Sequence, residues 1–312
     1  MRILVIVKDG ENNHQLRRLI EKGHIVTIKN TIEDIPYKEI DIVVSLSEKT
    51  VENAFNIAQR YNIPFYAHID WIPPWMVFKD SEYNWGYIDK IKFSKKMNFI
   101  RKYQNLAMYW SMADIKSMSA VCFHELMREI TGIPDLRIYI KRPSINIEEI
   151  KKIDMNNTFT NNQIVCVSKF VPHKRIHHLI KALQMIDYDG ILVLIGSGED
   201  KNLYDIIKGN LKIEYASDLD KYKIMSESRI VISLWNATVA LEAMALGIPV
   251  ISYDSDYMRE SCDDKINYVQ NNNISELARK IRELNINSPI IKSHIFEDND
   301  VLEKLLIKAV NR

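Results

Sequence analysis

Apolar residues along the chain fall into two kinds of segment. Short runs rich in β-branched residues recur at Ile3 to Val7, Ile25 to Ile28, Ile42 to Val44, Pro64 to Ala67, Ile164 to Val167, Ile191 to Ile195, Ile230 to Ile232 and Pro249 to Ser252. Between many of them lie longer amphipathic stretches. Leu179, Ile180, Leu183 and Ile186 recur at helical spacing, as do Leu277, Ile281 and Leu284. Apolar strands alternating with helices predict parallel sheets built from βαβ units, because helices then cover both faces of each strand. The pattern occurs twice, and the polar, Asn-rich stretch Ile147 to Gln163 (IEEIKKIDMNNTFTNNQ) separates the two occurrences. The expected organisation is a first Rossmann-like domain over residues 1–150 and a second over 151–290. A terminal helix within 291–312 follows and packs on one of the two, since Val301 to Val310 carries apolar residues at helical spacing. Two open α/β domains joined by a linker make a cleft. Ligands in such sheets bind beyond the carboxyl ends of the strands, beside the loops that begin helices. The expected class is α/β, with parallel sheets facing each other across that cleft.

Length and charge narrow the function. The chain has 312 residues, 46% of them hydrophobic, enough for two domains with real cores. Lys and Arg number 42 against 41 Asp and Glu, a net charge of +1. That balance argues against a dedicated nucleic-acid binder, which needs a concentrated basic face. The three cysteines, Cys122, Cys166 and Cys262, are widely separated and show no CxxC spacing. A disulfide framework or cysteine metal site is not expected, and a reducing compartment is. No apolar run is long enough to span a bilayer. The start, MRILVIVKDGENN, turns polar too soon for a signal peptide, so the expected location is cytoplasmic.

The strongest local signal is IVISLWNATVALEAMALGIPVIS, from Ile230 to Ser252. A strand runs into a loop, a helix follows from about Ala237 to Leu246, Gly247 stops it and Pro249 lies just beyond. Glu242 is the only charge on that helix. It either faces a ligand and accepts hydrogen bonds from a diol, or is a solvent-facing glutamate on an Ala-rich surface.

LEAMALGIPVIS resembles the signature of the family 4 (group 1, Glu-x7-Glu retaining) glycosyltransferases of GT-B fold, which carry a Glu-Ala-Met-Ala stretch and then Gly-x-Pro-Val-Ile. Other segments fit the same pattern in order. Ile164 to Lys174 (IVCVSKFVPHK) resembles the family's strand, Gly-Arg-Leu turn and Lys-Gly. Ile191 to Gly198 (ILVLIGSG) resembles its strand ending in Gly-x-Gly. Leu211 to Asp218 resembles the strand before its base loop, and Arg259 to Val269 (RESCDDKINYV) its Glu-x-x-x-Asp-Gly-x-Asn-Gly segment. The likeness covers Gln163 to Val269 well and the first half loosely, through MRILVIV, KGHIVT and IPFYAHID.

The resemblance implies a GT-B enzyme that moves a sugar from a UDP- or GDP-sugar to a glycan or lipid-linked acceptor, with retention, no metal and no separate cofactor. It places Lys169 and Lys174 on the donor diphosphate, where two cations beside a helix N-terminus make an anion site. The plainer alternative is two surface lysines in a basic loop. It places Glu242 on the ribose hydroxyls, and Gly196 and Gly198 where backbone approaches the nucleotide; a plain strand-to-helix turn also explains the glycines. In the first half it leaves Gly10 of a glycine pair, and it points to His68 near the transferred sugar. His68 is otherwise a hydrogen-bonded or exposed histidine.

This sequence also departs from that pattern. Leu234 stands where the family has a second glutamate, eight residues before Glu242, that contacts the donor sugar. Asn236 and Thr238 are the nearby polar substitutes, or else ordinary cap residues at a helix start. Lys169 stands for an arginine, Arg175 for a glycine and Tyr268 for the glycine of Asn-Gly.

On the acceptor side, Trp71 and Trp75 either stack on sugar faces or hold their loop on the core. Lys90 to Tyr103 (KIKFSKKMNFIRKY) is basic with interleaved aromatics. It either docks at the inner face of an anionic membrane, which suits a lipid-linked acceptor, or is a solvated helix face. Two function classes follow: a glycosyltransferase, and a non-catalytic descendant that binds a nucleotide or glycan or supports a partner subunit. Leu234 speaks for the second; Lys169, Lys174 and Glu242 together speak for the first.

Overall fold

The computed structural model describes residues 1–7, 14–29, 37–47, 50–69, 108–119, 138–141, 143, 145–153, 162–287 and 301–311. The chain forms two compact units, Met1–Arg142 with Asn299–Arg312, and Pro143–Asp298.

The first unit holds a six-stranded sheet in the order β2-β1-β3-β4-β5-β6, every pair parallel. The strands are β1 (Arg2–Ile6), β2 (Ile25–Lys29), β3 (Ile42–Ser45), β4 (Phe65–Ile69), β5 (Ile115–Ser119) and β6 (Ile138–Lys141). Strand residues alternate between two buried layers, as a period of two dictates. Leu4, Ile6, Val43, Phe65 and Ala67 meet the helix Val51–Tyr61 through Val51, Ala54, Ile57 and Ala58. Ile3, Val5, Ile42, Val44, Tyr66 and Ile115 meet Leu16 and Leu19 of helix His14–Glu21 and Leu302, Leu305, Leu306 and Ala309 of the terminal helix Val301–Val310. Glu303 of that helix also accepts from Lys22 Nζ at 2.6 Å and sits 2.7 Å from His24 Nε2.

β5 and β6 carry no apolar run. In β5, IKSMS, Ser117 is fully buried. Its hydroxyl lies 2.6 Å from Tyr66 Oη and 2.8 Å from His68 Nδ1, so a polar residue sits in a central strand at little cost.

The second unit holds the order β12-β11-β10-β7-β8-β9, again all parallel. Its strands are β7 (Gln163–Val167), β8 (Ile191–Ile195), β9 (Lys212–Ala216), β10 (Ile230–Ile232), β11 (Val250–Tyr253) and β12 (Asn267–Val269). Chain order reverses between β7 and β10, so β7 and β10 flank the topological switch point, where open sheets leave a crevice at their carboxyl ends. The boundary expected near residue 150 lies earlier. Ile145, Ile147 and Ile150 are buried in the core of the second unit, and the short helix Ile147–Ile150 packs on Ala237–Ala245. Hydrophobic burial, not the polar flanks of this stretch, decides which unit it joins.

Candidate functional site

The helix Ala237–Ala245 starts right after β10. Asn236 Oδ1 caps it by accepting from Val239 N at 3.4 Å. Gly247, at φ 71°, ends it: Gly247 N donates to Met244 O at 3.0 Å and Ile248 N to Ala243 O at 2.9 Å, the paired bonds of a Schellman stop. Ala237, Ala240 and Ala243 let the helix lie close to the sheet. Glu242 is carried inward with it and is only 3% exposed, which excludes the solvent-facing alternative.

Glu242 is half satisfied. Oε1 accepts from Lys221 Nζ at 3.0 Å and from Tyr222 Oη at 2.9 Å. Oε2 is buried and meets no donor. Both donors come from the helix Lys221–Ser226. Burial, and then the Glu242 charge, push the Tyr222 phenol far above its ordinary value, so it remains a donor. A buried carboxylate oxygen without a donor costs about 1–3 kcal/mol, which marks Oε2 as a place where a ligand donor is gained at full value.

The loop after β7 approaches the loop after β10. Lys174 ends the turn Pro172–Lys174, and its Nζ donates to the Trp235 carbonyl at 3.0 Å. Burial first, and the Lys169 charge second, bring the Lys174 ammonium down to about 8. Lys169 itself is exposed on the same loop. Arg175 follows with φ 57° and ψ 26°, the left-handed conformation that glycine adopts freely. The helix Ile176–Met185 begins at once, without a side-chain cap. His178 Nδ1 lies 2.8 Å from Tyr253 Oη, and burial, then His177, Arg175 and Lys181, bring this imidazole down to about 4, so it is neutral at pH 7. Among the described residues no carboxylate pairs with Lys169, Lys174 or Arg175. The carboxyl end of β7 therefore presents unneutralised positive charge at the switch point, beside a helix N-terminus.

Gly196 and Gly198 answer to the protein's own backbone. At φ 140° and 155° they occupy a region closed to other residues, and a Cβ would stand 2.0 Å from Ser168 O and 2.3 Å from Phe170 O respectively. The β7 and β8 loops are laced together there: Ser168 N donates to Ile195 O at 2.9 Å and Phe170 N to Ser197 O at 2.8 Å. The glycines hold the Lys169 loop against its neighbour.

Lys169 and Lys174 follow β7, Gly196 and Gly198 follow β8, and Asn236, Thr238 and Glu242 follow β10, with Glu242 more than a turn into its helix. Asn236 spends its side-chain oxygen on the cap, and Thr238 is half-buried in the first helical turn. Leu234 is buried, with its carbonyl taking Ser252 Oγ at 3.2 Å. His68 belongs to the first unit. It stands within β4 rather than on a loop, 1% exposed and hydrogen-bonded to Ser117, so the hydrogen-bonded alternative is the one found. Gly10, Trp71, Trp75 and Lys90 to Tyr103 lie outside the described residues. Sequence reasoning missed Lys221 and Tyr222, whose link to Glu242 spans 21 and 20 positions with no local signal. It also missed the His178–Tyr253 pair. Among the described residues no group of three or more His, Cys, Asp or Glu is placed to hold a metal ion, and no helix is long and apolar enough to cross a membrane.

Comparison with known proteins bears on both units. Residues 148–299, just under half of the chain, match the family model of Glycosyl transferases group 1. No curated protein matches the chain. Among solved structures, HepE of Anabaena in complex with UDP and glucose superposes with a TM-score of 0.63 at 15% identity, covering 100% of this chain and 95% of that one. A glycosyltransferase of Rickettsia africae gives 0.60 at 16%, with 99% and 85% covered. TarM of S. aureus, solved with UDP, α-GlcNAc-glycerol and fondaparinux, gives 0.57 at 15%, with 86% and 51% covered. At these identities the likeness is one of fold. The fold is GT-B, with two Rossmann-like α/β units.

Proposed function

We propose that the chain is a glycosyltransferase that moves a sugar from a nucleoside-diphosphate sugar to a glycan or lipid-linked acceptor. The observation that carries this reading is the half-satisfied Glu242 carboxylate on the helix after β10, in the unit that matches the group 1 glycosyltransferase model. The donor base is uracil or guanine, with uracil first because HepE and TarM hold UDP.

Each part has a chemical task. Glu242 Oε2 accepts a ribose hydroxyl. Lys174 and Lys169 bind the diphosphate, with the N-terminus of helix Ile176–Met185 adding partial positive charge. As the sugar–phosphate bond breaks, negative charge grows on the departing nucleoside diphosphate. A cation already fixed by the Trp235 carbonyl stabilises that charge without reorganisation. Two lysines in this role make a divalent metal unnecessary, and the family resemblance adds retention of configuration. The test is a thermal-shift panel of UDP, GDP, ADP and their sugars, with and without magnesium, followed by turnover of Glu242→Ala and Lys174→Ala. A shift with one base, insensitive to magnesium and lost in Glu242→Ala, is the expected result. Unchanged turnover in both variants refutes the site.

Leu234 favours a second reading, a chain that holds a nucleotide sugar without transferring it. Its buried apolar side chain cannot accept a hydroxyl from the donor sugar. Nucleotide-dependent stabilisation with no added effect of any sugar, and no turnover, selects this reading.

A further inference from the structure

β9 closes one side of the second sheet, with β8 on its inner flank and no strand beyond it among the described residues. Ile191 N donates to Asn162 O and Ser168 N to Ile195 O, each at 2.9 Å. Ile191, Val193 and Ile195 therefore turn their backbone groups to β7, and Leu192 and Leu194 turn theirs to β9. Leu192 lies beside Ile213 and Leu194 beside Tyr215, so this parallel ladder engages Lys212, Glu214 and Ala216. The N–H and C=O groups of Ile213 and Tyr215 point to the open side. Such a row is a template for another strand.

The side chains of this edge are complementary to a second copy of themselves. Lys212 and Glu214 are both exposed, and neither has an ion-pair partner among the described residues. An antiparallel pairing about a two-fold axis at Ile213 sets Lys212 opposite Glu214 of the second copy, and Glu214 opposite the second copy's Lys212. On the other face Ile213 meets Ile213, and Leu211 meets Tyr215. The two Ile213 residues exchange their backbone hydrogen bonds. The charges also select this register. An axis at Glu214 opposes two carboxylates, and an axis at Lys212 opposes two ammonium groups. Ile206 before the strand and Leu219 after it are 78% and 95% exposed, the most exposed large apolar side chains among the described residues. The axis at Ile213 carries the first end of one strand towards the second end of the other.

We infer that β9 is a self-recognition edge through which two copies of this chain form a two-fold dimer, their second sheets joined into one continuous sheet. The inference does not depend on the nucleotide-sugar reading.

Sedimentation velocity of the full chain tests it, from about 1 to 100 µM, the range in which a short edge interface associates. A monomer–dimer equilibrium is expected, and a monomer throughout overturns the inference. Charge variants then test the surface and its register. Lys212→Glu sets glutamate against glutamate at both pairs, and Glu214→Lys sets lysine against lysine. Each should weaken dimerisation at least about tenfold, since two attractive pairs become two repulsive ones. An equal mixture of the two variants should dimerise again, because every glutamate of one then meets a lysine of the other. The double variant Lys212→Glu/Glu214→Lys should dimerise by itself. Both positions are exposed, and an unchanged urea midpoint confirms that each variant folds. A dimer indifferent to the single variants lies on another surface and overturns the inference. Weakened single variants that do not recover in the mixture overturn the antiparallel pairing.

Discussion

Raising the pH from 7 to 9 should weaken donor binding about tenfold through one side chain. Lys174 is held at about 8, first by burial and then by the neighbouring Lys169 charge. At pH 7 about nine-tenths of the protein then carries the charged form, and at pH 9 about one-tenth. A bound diphosphate recruits the charged form only, so the free-enzyme fraction sets the change, worth about 1.4 kcal/mol. Stability of the ligand-free protein should move the other way. The folded value lies below the ordinary lysine value of 10.5, so above pH 8 the unfolded chain holds the extra proton. The Lys174 contribution to stability therefore rises between pH 8 and 10.5 while affinity falls. Opposite signs in one window separate this effect from general alkaline damage. Cys166, pushed up to about 12 by burial from an ordinary 9.0, stays a thiol in the folded chain but ionises in the unfolded one, so it opposes the Lys174 rise above pH 9 and the Lys174 share is read as the difference from Lys174→Arg. Calorimetric titration with UDP-glucose, whose diphosphate diester does not titrate here, measures the affinity limb. Urea denaturation at the same pH values measures the other. Lys174→Arg should keep its charge and lose the step. A flat affinity between pH 7 and 9, or the same step in Lys174→Arg, refutes the assignment of Lys174 to the diphosphate.

Three other changes follow from the geometry. Gly196→Ala should destabilise the second unit by at least about 2 kcal/mol in urea titration, since a Cβ 2.0 Å from a backbone oxygen adds to the strain of φ 140°. Arg175→Gly should be neutral to stabilising by about 1 kcal/mol, because release from φ 57° offsets the added freedom of the unfolded chain, while loss of a cation should weaken donor binding. Leu234→Glu, which restores the carboxylate of the family pattern, should cost several kcal/mol in a thermal or urea scan and fail to raise turnover, because the position is only 3% exposed.

What was legible follows from what burial does to a sequence. Strands covered on both faces, such as Ile3–Ile6 and Leu192–Ile195, read as unbroken apolar runs. β5 was invisible because Ser117 is satisfied by partners 49 and 51 positions away. The single charge in ALEAMALG marked Glu242, and periodicity placed it on a helix. Its two donors could not be read, because Lys221 and Tyr222 reach it from a different helix. The glycines after β8 stand out as Gly-x-Gly, but the backbone they serve is not marked in the sequence. They serve the backbone of Ser168 and Phe170, and only through it the loop that carries Lys169. β4 runs to Ile69, two residues beyond the apolar run Pro64 to Ala67, so His68 lies within the strand.

Arg175 and Leu234 show how far residue identity and structural demand can separate. The left-handed backbone that a glycine would fill is kept with an arginine in it, so the turn between β7 and its helix is fixed by the fold and not by the residue. At Leu234 the environment has followed the residue, and an apolar side chain is packed where a carboxylate would need solvent or a donor. The two features left unresolved in the ligand-free chain are of a different kind. A half-buried ammonium held at about 8, with the Trp235 carbonyl as its acceptor and no carboxylate among the described residues, and a carboxylate oxygen without a donor both cost stability. An anion relieves the first and a hydroxyl the second. One molecule that carries both, a nucleoside diphosphate, gains where the protein alone loses. Both needs arise on segments that follow β7 and β10, and that pairing supports the nucleotide-sugar reading proposed above.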